Sequence, residues 1–428
     1  MKKSIFTICF LACVSFFGLA ESQTVYELAG NLKAYPYVDN EPPAQTPPPE
    51  GYKPFHMEHY GRHGSRWLIG DNDYLTPVRN LEKAEKAGKL TPQGKKTLEL
   101  LKKIQKASEG RLGELSDNGA LQHRAIGRRM ARNYPEIFNG NSKVDAKATV
   151  VIRCILSMAN SLEGIKEVSP EVQPTMDASY ADMWFMNFDD QPAWKVKGAV
   201  EKNEFEAYKK ERPWNDAYLD RLVTDPQFAR DSVAPGIMPY LYWVLANTQS
   251  HSDQPWVLDE VFTKEELKPM WREGNAYWFM HGGNFKLTNG RMPFVQRNLL
   301  QKIIEGADSA ISTGTPGANL RYGHDSILGT IVTLMEVGGY GEEVASFEDL
   351  EKTGWHDYDI IPMAGNLQLI FYAKDGNLNP DDVLVKAMLN EREVSLPGLP
   401  VNAPYYRWSD VRNYYLDKLN KFNEGIEK

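Results

Sequence analysis

The chain has 428 residues, too many for one minimal domain and too few for a multi-module array, so its length predicts two domains, one inserted in the other. With 42% hydrophobic, 25% charged and 11% aromatic residues it sits near the globular average, which excludes a disordered, collagenous or coiled-coil chain. The balance of 49 basic against 57 acidic residues, a net charge of -8, excludes a nucleic-acid binder or a polybasic membrane-surface protein.

Lys2 and Lys3, an apolar stretch from Ile5 to Phe17 and the small residues of Gly18-Leu19-Ala20 make a secretory signal over residues 1–20, with cleavage expected after Ala20. The alternative is a lipoprotein cysteine at Cys13, although Phe10 is a poor start for such a box. Signal removal leaves 47 basic against 57 acidic residues, or -10. No later stretch approaches a membrane span. Cys154 is then the one internal cysteine, so an exported protein holds no intrachain disulfide, which suits a bacterial periplasm, or secretion, with no integral membrane span.

Residues 21–51 form a Pro-rich arm expected to cross the surface without building core. The folded body is predicted to start near Tyr52, with a strand over Lys53 to Tyr60 and helix starts at Thr91-Pro92 and Ser116-Asp117. The helix after Asp117 ends near Tyr134-Pro135, and the apolar segment from Thr149 to Ile152 reads as the second strand. From about 166 to 290 tryptophans and polar breaks replace β-branched runs, which predicts a separate, mostly α-helical cap. After it come a helix from Pro293 to about Ser312, a strand at Ala318 to Tyr322, a helix carrying Ile327, Leu328, Ile331, Leu334 and Met335 on one face, strands at Leu367 to Ala373 and Val383 to Leu389, and a closing helix from Ser409 to Phe422. The expectation is an α/β fold, a three-layer α/β/α sandwich of the phosphoglycerate mutase kind, built from 52–165 and 291–428 with the cap inserted.

Three of the eight histidines fall between His56 and His63. If Arg62-His63-Gly64-Ser65-Arg66 turns from strand into helix, the two arginines share a face, Gly64 admits a ligand close to the backbone, and the helix N-terminus adds a positive end. That combination is a phosphate cradle around a nucleophile; a surface basic turn beside a satisfied histidine is the competing reading.

With the downstream His324-Asp325, this segment resembles the histidine acid phosphatases, the branch of the histidine phosphatase superfamily that holds phytases and multiple inositol polyphosphate phosphatases. Leu115-Ser116-Asp117-Asn118-Gly119-Ala120-Leu121-Gln122-His123 is similar to the family's helix after the first strand, and Arg153-Cys154-Ile155-Leu156-Ser157 to its third-arginine segment. The resemblance spans residues 52–400 and implies an α/β core, a helical cap and a site at the carboxyl ends of the strands. Leu68 stands where the family often has Pro, and His324-Asp325 replaces the His-Ala-Glu of many inositol polyphosphate phosphatases, which leans toward a phytase-like or general acid phosphatase.

The residue types suit that chemistry on their own terms. Phosphoryl transfer needs a placed nucleophile, donors for three equatorial oxygens and an acid for the leaving alkoxide. His63 is the candidate nucleophile, Arg62, Arg66 and Arg153 the bidentate donors, His324 a further donor, and Asp325 the proton donor. Asp325 beside Ser326 at a helix start also reads as a plain N-cap. The expected activity is hydrolysis of phosphate monoesters by an exported enzyme, phytate or other inositol polyphosphates foremost, through phospho-His63, without metal or other cofactor and with an acidic optimum. A non-catalytic exported ligand- or glycan-binding protein using the cap aromatics is the alternative.

Other candidates weigh less. A metal set of His56, His59 and His63 needs a helix that Pro54 and Gly61 deny. Cys154 lacks the arginine a cysteine phosphatase loop needs six residues on, where Asn160 stands, and reads as a small buried residue. His123 reads as structural, His281 as a possible substrate contact from the cap, and His251 and His356 as solvated loop residues. Lys195, Lys197, Lys202, Lys209, Lys210 and Arg212 read as a solvated helix face that could also receive further phosphates.

Overall fold

The computed structural model describes residues 23–426, so the expected signal segment lies outside the described residues. The parallel half of its sheet is built from β1 (Tyr52–Arg62), β2 (Lys143–Ala148), β3 (Thr175–Asp177) and β4 (Gly317–Gly323). The antiparallel half is β5 (Asn366–Lys374), β6 (Leu384–Leu389), β7 (Arg392–Val394) and β8 (Tyr406–Arg407). The spatial order is β3-β2-β4-β1-β5-β6-β7, with β8 paired to β6. The parallel strands are joined by long helical crossovers, as parallel pairing requires.

Period-two alternation along β1 sorts its side chains between two cores. Met57 points to the face covered by α3 (Asp117–Asn133) and α4 (Ile152–Val168), where Ile126, Met130, Met158 and Leu162 meet Ala318, Leu320 and Tyr322. Tyr60 points to the opposite face, covered by α6 (Arg297–Thr313), α7 (Asp325–Leu334) and α8 (Trp408–Ile426) through Leu300, Ile304, Ile327, Ile331 and Trp408. These are the three layers expected from the sequence. Strand alternation also places His56 and His59 on opposite faces, so they cannot share an ion. His56 Nε2 lies 2.8 Å from Glu58 Oε1, and the His59 ring packs 5.1 Å from that of Tyr322.

Residues 166–290 carry the short β3 and are otherwise helical, with α5 (Lys264–Gly282) the longest helix there. A third hydrophobic cluster unites helices on both sides of the expected domain boundary. Leu81 of α1 (Asp71–Lys86) and Leu98 and Leu101 of α2 (Pro92–Ser108) pack with Leu219, Leu222, Leu245 and Leu267.

Three local expectations are corrected. The segment Thr149 to Ile152 is not a strand: β2 ends at Ala148, and Ile152 opens α4 with its side chain 69% exposed. The apolar residues there form the turn that delivers Arg153. No helix follows Gly64 either; residues 63–70 are a loop, and α1 begins only at Asp71. The arm does build core, since the 3-10 helix Glu27–Leu32 buries Leu28, Ala29 and Leu32 against α1 and α5. Among the described residues no helix is long and apolar enough to cross a membrane.

Candidate active site

The site assembles because β1 and β4 are parallel neighbours with Arg62 opposite Gly323. Both strands end there, and the His63 N–H donates to Gly323 O at 2.9 Å, locking the two loops side by side. Residues 260 apart in sequence thus leave the sheet at one point, the carboxyl end of parallel strands, where open α/β sheets bind ligands.

The loop after His63 folds tightly over the start of α3. A Cβ on Gly64 would come within 2.4 Å of Gly119 O, and one on Gly119 within 2.2 Å of Ser65 O. Only two glycines allow that approach. Ser116 caps α3 by accepting from Gly119 N, Gln122 Oε1 accepts from Ser65 N, and Ser157 Oγ of α4 accepts from Gly64 N. The loop is therefore tethered to two helices rather than being one.

His63 is 2% exposed. Its Nδ1 lies 2.9 Å from Gly64 O and so carries the proton, leaving the Nε2 lone pair free. Burial, then Arg62, Arg153 and Arg66, hold its pKa well below that of an ordinary histidine. A neutral, oriented imidazole results.

The three arginines surround it. Arg62 is fully buried; its Nη1 donates to Asn31 O at 2.6 Å and Ile361 O at 2.5 Å, and its Nη2 stands 2.7 Å from Asp325 Oδ2. Arg66 Nη1 donates to Trp67 O, and Arg153 Nη1 reaches Gly113 O at 3.4 Å. The Nε atoms of all three are buried with no hydrogen-bond partner. Burial, then the neighbouring Arg62, lowers the Arg66 pKa to about 10. Buried guanidinium donors left idle are unfavourable unless an anion joins them.

Asp325 is the first residue of α7, and His324 takes the N-cap position without a side-chain cap bond. The plain N-cap reading of Asp325 is therefore set aside. Its Oδ2 accepts from Asn31 Nδ2 at 3.2 Å and its Oδ1 from Ser326 N at 3.0 Å. Burial works against ionisation of this carboxyl, but Arg62, Arg66 and His324 prevail and hold it below the usual carboxylate range. His324 sits with its ring 5.9 Å from that of His63 and its Nε2 3.1 Å from Thr149 Oγ1; burial above all lowers its pKa to about 4.

The remaining candidates take other places. Cys154 is buried, its Sγ donating to Gly323 O at 3.3 Å. His123 Nε2 donates to Arg62 O at 3.0 Å, a structural role as expected. His281 is held inside the cap: Nδ1 donates to Tyr277 O, and Nε2 accepts from Lys197. His251 is corrected from a solvated position to a buried one, 4.0 Å from the Trp67 ring, while His356 stays partly exposed beside Tyr358. Lys195, Lys202 and Lys210 are exposed; Lys197, Lys209 and Arg212 pair with Glu201, Glu206 and Glu348.

Asn31 is the residue that sequence reasoning missed. It grips both Arg62 and Asp325 from an arm expected to be inert, and no motif or periodicity marks it. Thr149 and Ser157 carry no marked role in the sequence either, the first standing inside an apolar run and the second at the end of the third-arginine segment.

A cavity of about 440 Å³ lies beside this cluster, between the arm, the loop after His63 and α5. Asn31 and Arg66 belong to both the cluster and the lining.

This combination of a three-layer α/β/α sandwich and a helical cap is the fold of solved inositol polyphosphate phosphatases and phytases. The structure is similar to the multiple inositol polyphosphate phosphatase of Bifidobacterium longum, with a TM-score of 0.75 over 91% of this chain and 97% of that one at 18% identity. That protein has also been solved with phosphate and with inositol hexasulfate. The phytase from D. castellii matches with a TM-score of 0.69 at 14% identity, covering 94% of this chain and 89% of that one. Hafnia alvei phytase matches with 0.53 at 14% identity, covering 87% and 98%. No family model and no curated protein matches the chain by sequence.

Proposed function

We propose that this protein hydrolyses phosphate monoesters through a phosphohistidine on His63. The observation that carries this reading is a neutral His63 with a free Nε2, ringed by three arginines whose buried Nε donors are idle. A phosphoryl group placed there receives the donors that three equatorial oxygens require, in a site already desolvated and oriented. Nε2 attacks phosphorus, the ester P–O bond breaks, and Asp325 passes its proton to the departing alkoxide. Water then attacks the phosphohistidine, Asp325 takes up its proton, and inorganic phosphate leaves.

Asp325 must be protonated for the first step, whereas the free site favours its carboxylate. An arriving phosphate dianion offsets the charge of Arg62 and Arg66, so the carboxyl regains affinity for a proton as substrate binds. An acidic optimum follows.

The structural neighbours named for inositol polyphosphates support a phosphatase of this type, and phytate is the substrate their names suggest. The N-terminal signal pattern supports export to the periplasm or medium, with a lipid anchor on Cys13 as the alternative. Sequencing the mature N-terminus separates the two. An aromatic cap cavity would also serve a glycan-binding protein, but a binder needs neither an activated histidine nor an acid beside it.

Brief reaction with a 32P-labelled ester should trap acid-labile, base-stable label on the wild type and none on His63→Ala. Activity abolished by EDTA, or label retained in the variant, would refute the mechanism.

A further inference from the structure

The cavity that shares Arg66 and Asn31 with the candidate phosphoryl site has a lining that bears on the rest of the substrate. Its walls carry seven aromatic residues, among them Trp214, Trp243, Trp271, Tyr277 and Trp278, contributed by α5 and the cap segments facing it. Its charged lining is one cation, Arg66, against Asp73, Glu273 and Asp357. Arg66 is already committed to the scissile phosphate. The basic cap residues Lys195, Lys197, Lys202, Lys209, Lys210 and Arg212 all lie outside the lining.

A polyphosphorylated alcohol would bring its remaining dianions into this space. They would meet three carboxyl groups and no free cation, and the aromatic walls would strip their hydration without replacing it. An uncharged ring meets the opposite situation. Aromatic faces bury apolar ring surface and stack on it. Two polar groups in the wall face each other: the Trp214 indole N–H lies beside the Glu273 carboxylate, whose second oxygen is left over. The carboxylate keeps acceptor capacity for a hydroxyl of the ligand. Leu68, at the position where the resemblance expects proline, adds to the apolar wall.

Resting on the phosphatase reading above, we infer that the substrate is a phosphate monoester of an uncharged, ring-bearing alcohol rather than a polyphosphate, its ring held between the aromatic residues of the cap and the arm. Trp243, Trp278 and Glu273 are the residues that set this specificity.

The test compares esters of matched leaving group with the purified mature protein. The expected kcat/KM for 2-phenylethyl phosphate exceeds that for ethyl phosphate about tenfold, and exceeds that for inositol hexakisphosphate as well. Trp278→Ala should shrink the ring-to-ethyl ratio severalfold, and Glu273→Lys should shift the balance toward inositol hexakisphosphate. Glucose 6-phosphate separates the two kinds of ring: a hydroxylated ring gains from Glu273 and loses that gain in Glu273→Gln, an aryl ring does not. Preferred turnover of inositol hexakisphosphate, or a ring-to-ethyl ratio near one that Trp278→Ala leaves unmoved, overturns the inference. A binding measurement keeps the two proposals apart. Quenching of tryptophan fluorescence by 2-phenylethylphosphonate, with none by methylphosphonate, supports the aromatic subsite even in a protein that hydrolyses nothing, in which case only the phosphatase reading falls.

Discussion

Arg62 divides its guanidinium between structure and site. Nη1 is held by the carbonyls of Asn31 and Ile361, while Nη2 faces Asp325 and Nε is idle. The same Asp325 carboxylate is gripped by Asn31. Removing the acid is expected to reduce turnover of alkyl phosphates by about 10²–10⁴ in Asp325→Asn, and much less for an aryl phosphate whose leaving group needs no proton. Steady-state rates on the two ester types check this; equal losses would deny Asp325 its role as donor. Asn31 acts through Asp325. Its hydrogen bond favours the ionised carboxyl, so Asn31→Ala should raise the pKa of the donor and move the alkaline limb of the kcat pH profile to higher pH. A fall in rate with no shift of that limb would mean that Asn31 only packs.

At the scale of elements, the arm is where pattern reading failed most. Its prolines and short length suggested a surface strap, yet Leu28 is completely buried among residues of α1, α5 and the Tyr240–Ala246 helix. Gly30 adopts φ 60° there, where a Cβ would come within 2.8 Å of Asp357 Oδ2. Leu28→Ala should cost about 2–5 kcal/mol and lower the melting temperature. Because the same turn presents Asn31, activity should decline with temperature before global unfolding in this variant, a gap absent from the wild type and visible by assaying along the melt. The elements that were legible shared one property: a long apolar period bounded by a cap or a glycine. The helix begun by Ser116, the strand that ends at Gly323 and the helix carrying Ile327 to Met335 all have it. The segment from Thr149 to Ile152 has apolar composition without length, and its fate was decided by Thr149 N bonding to Tyr322 O and by the turn into α4.

For the whole molecule, the protonation of buried histidines links activity to stability. Burial lowers the pKa of His59 to about 3 and those of His123, His251, His281 and His324 to about 4, and that of His63 falls as well. In the unfolded chain each titrates near about 6.5, so below that pH the unfolded state binds more protons and native stability falls until the folded rings protonate near pH 4. Asp325, held low in the folded state, adds a loss of the same sign as pH falls through its own range. Asp357 opposes it: burial lifts its carboxyl to about 6, and its unfavourable contribution is relieved as pH drops through that value. The net expectation is a melting temperature that declines steeply from about pH 6.5 to 4, which sets the lower edge of the acidic activity range; a flat or rising profile would contradict the burial of these rings as neutral groups. The net charge of -8 describes the surface and says nothing of the pocket, where Arg62, Arg66 and Arg153 concentrate positive charge. Local pattern alone marked most of the alternation of strands and helices, the Arg62 to Arg66 segment and the His324-Asp325 pair, because hydrophobic period and the chemistry of a short motif are contained in neighbouring residues. Only the tertiary structure decided that the arm supplies Asn31 to the site, that Lys197, Lys209 and Arg212 pair with Glu201, Glu206 and Glu348, and that the cap's aromatic residues line the cavity. Those outcomes depend on which distant surfaces bury one another, a competition among contacts hundreds of residues apart that no local stretch of sequence records.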